Sequence, residues 1–278
     1  MHLKKFYPDT IVPLLLTFAV FAFFVALLFG EIKLLNLFVI AREPILIRIL
    51  LSDVLIGMTI YLKTSIDFAI FIGRLMNTYP GWKNRVMIEI GTAAGNALGT
   101  FAILIIWDVF REVRFLMAAM IVLAALVLIR MAEDGLEHAR TKDKTYPVNI
   151  LNWVHYFEKI LQTINKAVAP VLSRLIPNLS VSEKKKITFK GLFLLSFTVP
   201  FILGLDDFAG YIPLFNVVNV FGFATGVFLG HMILNIFLFL SPQATIRIVK
   251  NPIISLIGSV AFVALAVWGI VEAIHLVG

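Results

Sequence analysis

Long apolar runs alternate along the chain with shorter polar and charged intervals. Seven runs stand out, at residues 10–30, 48–74, 86–109, 113–131, 187–209, 214–240 and 253–275. A helix needs about 20 mostly apolar residues to cross the hydrocarbon core of a bilayer, and these runs have that length. The pattern predicts an all-α membrane protein of about seven transmembrane helices. The stretch from Glu31 to Ile47 is apolar but interrupted by Pro44, and reads as an interfacial or re-entrant piece.

The interval between the fourth and fifth runs is charged from Glu133 to Tyr146 and then becomes periodic. Ile150, Val154, Phe157, Leu161, Ile164, Val168, Val171 and Leu175 recur in steps of three and four, while Asn152, His155, Lys159, Gln162 and Lys166 fall opposite them. Such spacing draws an amphipathic helix over 150–175, expected to lie flat on the cytoplasmic face of the membrane. Pro147, Pro170 and Pro177 mark its boundaries or kinks. Four regions follow: an N-terminal span and interfacial segment (1–47), a first three-helix unit (48–131), a cytoplasmic amphipathic linker (132–186) and a second three-helix unit (187–278).

Composition excludes a soluble alternative. Of the 278 residues 60% are hydrophobic and 15% charged, with a mean hydropathy of +0.96, too apolar for a water-soluble domain. The net charge of +7 reports basic loops held on the cytoplasmic side beside anionic lipid, and not nucleic acid. With no cysteine, disulfides, thiolate metal sites and cysteine nucleophiles are excluded together. The run from Ile11 to Gly30 follows Lys4 and Lys5 but lacks a small-residue cleavage site, so it is kept as a span. Lys33, Arg42, Arg48, Arg111 and Arg114 fall on one side, Lys63 lies inside a span, and the remaining basic residues, Lys184, Lys185, Lys186 and Lys190 among them, fall on the other. The positive-inside rule makes that richer side, and the N-terminus with it, cytoplasmic in a multi-pass inner-membrane protein.

Laid over one another, the two units match. Gly91, Gly95 and Gly99 recur at the same spacing as Gly222, Gly226 and Gly230, each set on one helix face where small residues let backbones approach. Upstream, Ser65-Ile66-Asp67-Phe68-Ala69 aligns with Leu205-Asp206-Asp207-Phe208-Ala209. Each unit is thus a helix with an acid near its end, a glycine-faced helix and a plain apolar helix. Because three is odd, the two units sit in opposite orientation, the arrangement of many secondary transporters whose sites lie where helices break. Glycine faces alone are ordinary packing devices, so the repeated acid carries the functional argument.

Ionisable groups inside spans are costly and usually face a cavity or a partner. Asp67, Asp206, Asp207 and Lys63 qualify, and Lys63-Thr64-Ser65 before Asp67 suits a local helix break whose freed carbonyls help to hold a cation. Asp67 and Asp207 are the expected metal-binding pair, with Asp206, Ser65 and Thr64 beside them. Asn96, His231 and Asn235 on the glycine-faced helices, together with Lys63, form the outer candidates. The bland alternative is that the acids cap helix ends, or that Lys63 neutralises Asp67 one turn away. Asp53, Glu89, Asp108 and Glu272 fall near predicted span ends, where charges reach the interface, and are left outside the site.

Thr64-Ser65-Ile66-Asp67-Phe68, Gly95-Asn96-Ala97-Leu98-Gly99, and Gly204-Leu205-Asp206-Asp207 followed by Tyr211-Ile212-Pro213-Leu214-Phe215 stand in an order that resembles the cadmium-resistance transporter family of the LysE superfamily. The resemblance implies export of a divalent metal cation, with Asp67 and Asp206 or Asp207 in the acidic motif positions. Asp207 stands where that family carries an asparagine, Lys63 is an added charge, and the first span and the amphipathic linker are additions. A transporter working by alternating access, with no enzymatic activity and no cofactor, is the leading expectation; its partners are an ion or small solute, membrane lipid and, if it self-assembles, a second copy. Two other classes compete. Leu203-Gly204-Leu205-Asp206 is a near miss to the Gly-x-Gly-Asp motif of intramembrane aspartyl proteases, lacking the second glycine, and a non-transporting subunit would present the 150–175 helix to a partner.

Overall fold

A computed structural model describes residues 11–38, 43–137, 147–175 and 188–278, apart from the side chains of residues 38, 67, 137, 168–175, 203–210 and 216. Among the described residues the chain is helical, with no strand. The helices are α1 (Val12–Phe38), α2 (Leu51–Thr64), α3 (Ile66–Thr78), α4 (Trp82–Phe110), α5 (Arg114–Glu137), α6 (Val148–Leu175) and α7 (Phe189–Tyr211), then a 3₁₀ turn (Ile212–Asn216), α8 (Val220–Leu240), α9 (Pro242–Val249) and α10 (Pro252–Val277). Five of them, α1, α4, α5, α8 and α10, are long and apolar enough to cross a membrane, and a sixth span results if α2 and α3 count as one. The chain is a multi-pass membrane protein.

The first two runs differ from what is expected of them. The first span does not stop at residue 30: α1 runs on to Phe38, and the chain from Pro44 to Leu50 is non-helical, so Glu31 to Ile47 is not one interfacial piece. Leu34 and Leu37 continue the apolar exterior of α1 through Glu31 and Lys33, which is why the helix persists. The second run, 48–74, is two helices meeting at Ser65 with a bend of 63° between Leu51–Thr64 and Phe68–Thr78. Its cause is local: the Thr64 hydroxyl donates to Tyr61 O at 3.1 Å, the same carbonyl that accepts from Ser65 N at 2.9 Å, and hydroxyl back-bonding of this kind bends helices.

Three helix pairs build the core. α4 packs on α7, α2 on α8, and α5 on α10, while α1 lies outside against α4 and α8. Burial follows this order: 72% of the α8 span is buried against 17% of the α1 span. Close approach at the first two pairs depends on glycine. A Cβ at Gly95 would clash with Phe197 O, and one at Gly226 with Val54 O, so any larger residue forces these backbones apart. The two glycine-faced helices therefore turn their small faces to α7 and to α2 and not to each other.

The two ends of the bundle carry different sets of residues. At one end Arg111 donates to Glu43 O at 2.6 Å and pairs with Asp108 at 2.8 Å, and Asn219 donates to Leu46 O at 2.8 Å. At the other, Arg85 donates to Phe239 O at 3.1 Å, and the short helix α9 packs on α3 through Ile246 against Gly73. Helix α6 lies near the latter end. Its stripe residues Val154 and Leu161 are buried in a cluster with Leu128, Ala132 and Leu136 of α5 and Phe262 of α10, with Ile150 and Phe157 packed against it, while Ile164 of the same stripe is exposed. An apolar stripe is satisfied by any apolar partner, and here the C-terminal turns of α5 supply it. Trp153 and Tyr156 remain exposed on a neighbouring face. Residues 1–10, 138–146 and 176–187, with Lys4, Lys5, Lys184, Lys185, Lys186 and Pro177, lie outside the described residues, as do the side chains of Val168, Pro170, Val171 and Leu175.

Candidate functional site

The expected site begins at the bend. Ser65 is the joint between α2 and α3, and Asp67 lies in the first turn of α3; Asp206 and Asp207 lie in the last turns of α7, before the 3₁₀ turn. The side chains of these three acids are outside the described residues, so the structure neither joins nor separates them. The helices that carry them are tied together next door: the Thr64 hydroxyl accepts from the Tyr211 hydroxyl at 2.5 Å while giving its own proton to Tyr61 O. Both residues are buried. Ser65 is also buried, at 2% exposure, and its hydroxyl has no hydrogen-bond partner. Two helix interruptions, one from each half of the chain, thus meet through a side-chain hydrogen bond, with a free buried hydroxyl beside it.

Lys63 does not serve this joint among the described residues. Its ammonium donates to Ser255 O of α10 at 3.1 Å, and its methylenes fill the space that Gly258 leaves open.

A second polar group lies deeper, and one of its members, Glu89, is not at the span end where the apolar pattern puts it. Glu89 was expected near a span end; it is fully buried, because α4 starts at Trp82 and carries Glu89 two turns into the protein. Asn235 Nδ2 donates to Glu89 Oε2 at 2.8 Å and to His231 Nε2 at 3.0 Å, and His231 Nδ1 bonds the Tyr61 hydroxyl at 2.7 Å. An amide nitrogen can only donate, so Nε2 must accept and the imidazole proton sits on Nδ1, donating to Tyr61. Glu89 Oε1 and Asn235 Oδ1 are buried without a hydrogen-bond partner. A small cavity touches the chain, lined by Thr17, Glu89, Asn96 and His231 with Phe24 and Phe228 closing its apolar side.

Three outer candidates, His231, Asn235 and Asn96, are therefore gathered around a carboxyl that was left out. A signal for it existed. Glu89, Thr92, Asn96 and Thr100 follow one another in steps of three and four, a polar stripe on a helix that is otherwise small and apolar, and all four are buried. Asp53 and Asp108, by contrast, do sit at helix ends. Asp53 accepts from the backbone N–H of Asn219 at 3.1 Å, and Asp108 pairs with Arg111.

Of the glycines, Gly91 and Gly95 face Ser196, Phe197 and Phe201 of α7, and Gly222, Gly226 and Gly230 face Asp53, Val54, Met58 and Tyr61 of α2 or Arg48 just before it. Gly99 is buried. Among the described residues no group of three or more His, Asp or Glu side chains is close enough to hold a metal ion. No family model matches the chain, and neither a curated protein nor a solved structure does.

Proposed function

We propose that the protein is a secondary transporter of the inner membrane that exports a divalent metal cation by alternating access, with Asp67 and Asp207 as the binding carboxylates and the N-terminus cytoplasmic. One observation carries the reading: each glycine-faced helix packs on the first span of the other half, α4 on α7, which carries Asp207, and α8 on α2, the arm of the bent α2–α3 span that precedes Asp67, while the third helices, α5 and α10, pair with each other. Such reciprocal pairing is what two inverted three-helix repeats related by a two-fold axis would give, with α7 as the seventh span. The bend at Ser65 and the end of α7, tied by Thr64 and Tyr211, then stand at the repeat interface where substrates bind in this class.

In this reading the substrate exchanges its water for carboxylate and hydroxyl oxygens supplied by both repeats. The two halves tilt about the glycine contacts to expose that site to one side and then the other. Purified protein in liposomes, loaded with a metal-sensitive dye and offered a panel of divalent cations and amino acids, tests the proposal. Saturable flux of a metal supports it. Flux of amino acids alone, or none of either, counts against it.

A further inference from the structure

The chain of hydrogen bonds from Tyr61 to Glu89 has one direction as it stands, and the same four side chains support the opposite one. In the observed arrangement Asn235 gives both of its protons, one to Glu89 and one to His231, and its own oxygen is orphaned in the protein interior. That suits an ionised Glu89, since a carboxylate accepts strong hydrogen bonds. Protonation changes what the carboxyl needs, because an acid proton in the interior requires an acceptor. Oε1 has no hydrogen-bond partner of good geometry, and the Thr17 hydroxyl beside the same cavity, which donates to Pro13 O at 2.9 Å, can accept from that oxygen when it carries the proton. Asn235 is the partner already at Oε2, and it becomes an acceptor when its amide turns over.

We propose that Glu89, Asn235, His231 and Tyr61 form a binding site for a single proton, whose arrival reverses every hydrogen bond in the chain. The proton comes from the aqueous phase and forms an O–H bond at Glu89 Oε2, taking the carboxyl from charge −1 to neutral. Asn235 Oδ1 turns to accept from both Glu89 and His231. The imidazole loses its Nδ1 proton and takes up one at Nε2, both exchanged with the water that the cavity beside it admits, so that the ring stays neutral and no further proton is bound, and the Tyr61 hydroxyl rotates to donate to Nδ1. No charged imidazole is created in the interior, where it would be strongly disfavoured.

Two observations favour a proton over a metal ion here. The cavity beside Glu89 leaves only about 10 Å³ for a water centre, room for about one molecule and not for a hydrated cation. Its other walls are apolar: Val20, Phe21 and Phe24 of α1, Phe228 of α8. The groups facing the site are Thr17 from α1, Tyr61 from α2, the Phe68 ring from α3, Asn96 from α4, and His231 with Asn235 from α8. The nearest basic residue on the same helix face is Arg85, one turn before Glu89, which donates to Phe239 O.

This inference rests on the transporter reading only for its use, as a proton site that would couple to transport and is separate from Asp67 and Asp207. The network is tested without transport. Full-length protein with isotopically labelled histidine, in liposomes of phosphatidylethanolamine and phosphatidylglycerol, is titrated with acid while solid-state NMR reads the His231 tautomer and infrared difference spectra read the carboxyl. His231→Gln identifies the ring signals, and Glu89→Gln the carboxyl band. The Nδ1–H tautomer at high pH should give way to Nε2–H at the midpoint where the Glu89 band appears, and should stop responding to pH in Glu89→Gln. A tautomer that never changes, a ring that becomes imidazolium instead, or an unchanged response in Glu89→Gln overturns the proposal; the wild-type titration alone decides if the variant does not fold. Absence of metal flux with an intact tautomer change would remove the transporter reading and leave this site standing.

Discussion

In the α4–α7 pair, Gly91 and Gly95 lie against Ser196 and the backbone of Phe193, Phe197 and Phe201. In the α2–α8 pair, Gly57, Gly222, Gly226 and Gly230 do the same work against Phe223, Asp53, Val54 and Tyr61. The geometry is alike, but what fills the remaining space is not. Along α7 the phenylalanines stack on one another, Phe197 and Phe201 with centroids 5.8 Å apart and planes within 6°. Along α2 the ring of Tyr61 lies against Gly230 and reaches His231, opening the polar chain that ends on Glu89 of α4. Glycine sets how near two helices come; the residues one turn further on decide whether that nearness is spent on dispersion or on a polar site.

Breaking either close contact should have the largest effect. Gly226→Leu and Gly95→Leu each set a side chain against a backbone carbonyl that cannot move aside alone, and overpacking costs about 1–3 kcal/mol or more. Thermal unfolding in detergent should show both variants melting well below the wild type. Equal melting would mean that the pairs separate at no cost.

A smaller and asymmetric effect follows from the polar chain. Asn235→Leu removes the donor to a buried carboxyl and should cost roughly 2–3 kcal/mol, since a hydrogen bond to a charged group contributes about 1.5–3. Tyr61→Phe leaves His231 Nδ1–H without its acceptor and should cost about 1–2 kcal/mol, an unsatisfied buried donor being worth about 1–3. Chemical unfolding of both in the same lipid–detergent mixture gives the order. If Tyr61→Phe is the more damaging, the chain is not anchored on Glu89.

The smallest change is expected at the other pair. Ser196 bonds mainly within its own helix, donating to Leu192 O at 2.7 Å, and reaches Met87 O of α4 only at 3.4 Å, so Ser196→Ala should shift stability by less than about 0.5–1 kcal/mol, the value of one ordinary hydrogen bond. A loss as large as that of Asn235→Leu would show that the α4–α7 pair also depends on polar contacts.

The apolar helices themselves, the bend near Asp67 and the stripe of α6 were legible because each is written in local composition: apolar runs, a Lys-Thr-Ser run, steps of three and four. What touches what was not. The stripe of α6 carried no sign that α5 and α10 cover it, and the glycine faces showed that something comes close without naming the partner. Glu89 was misplaced by its position four residues into a run read from residue 86, whereas Asn84 and Arg85 are helical too and carry α4 back to Trp82. Polar residues at a helix start do not mark its end when neighbouring helices give them partners, as Phe239 O does for Arg85.

The central claim is that one acid from each half, Asp67 and Asp207, holds the transported ion. Metal flux into dye-loaded liposomes, measured for Asp67→Asn, Asp207→Asn and the double variant at matched protein incorporation, tests it most directly. Each single change keeps the shape of the side chain and removes the charge that binds a divalent cation, so each should abolish flux while the protein remains folded, and Asp206→Asn should do less. Normal flux in the double variant would contradict the account.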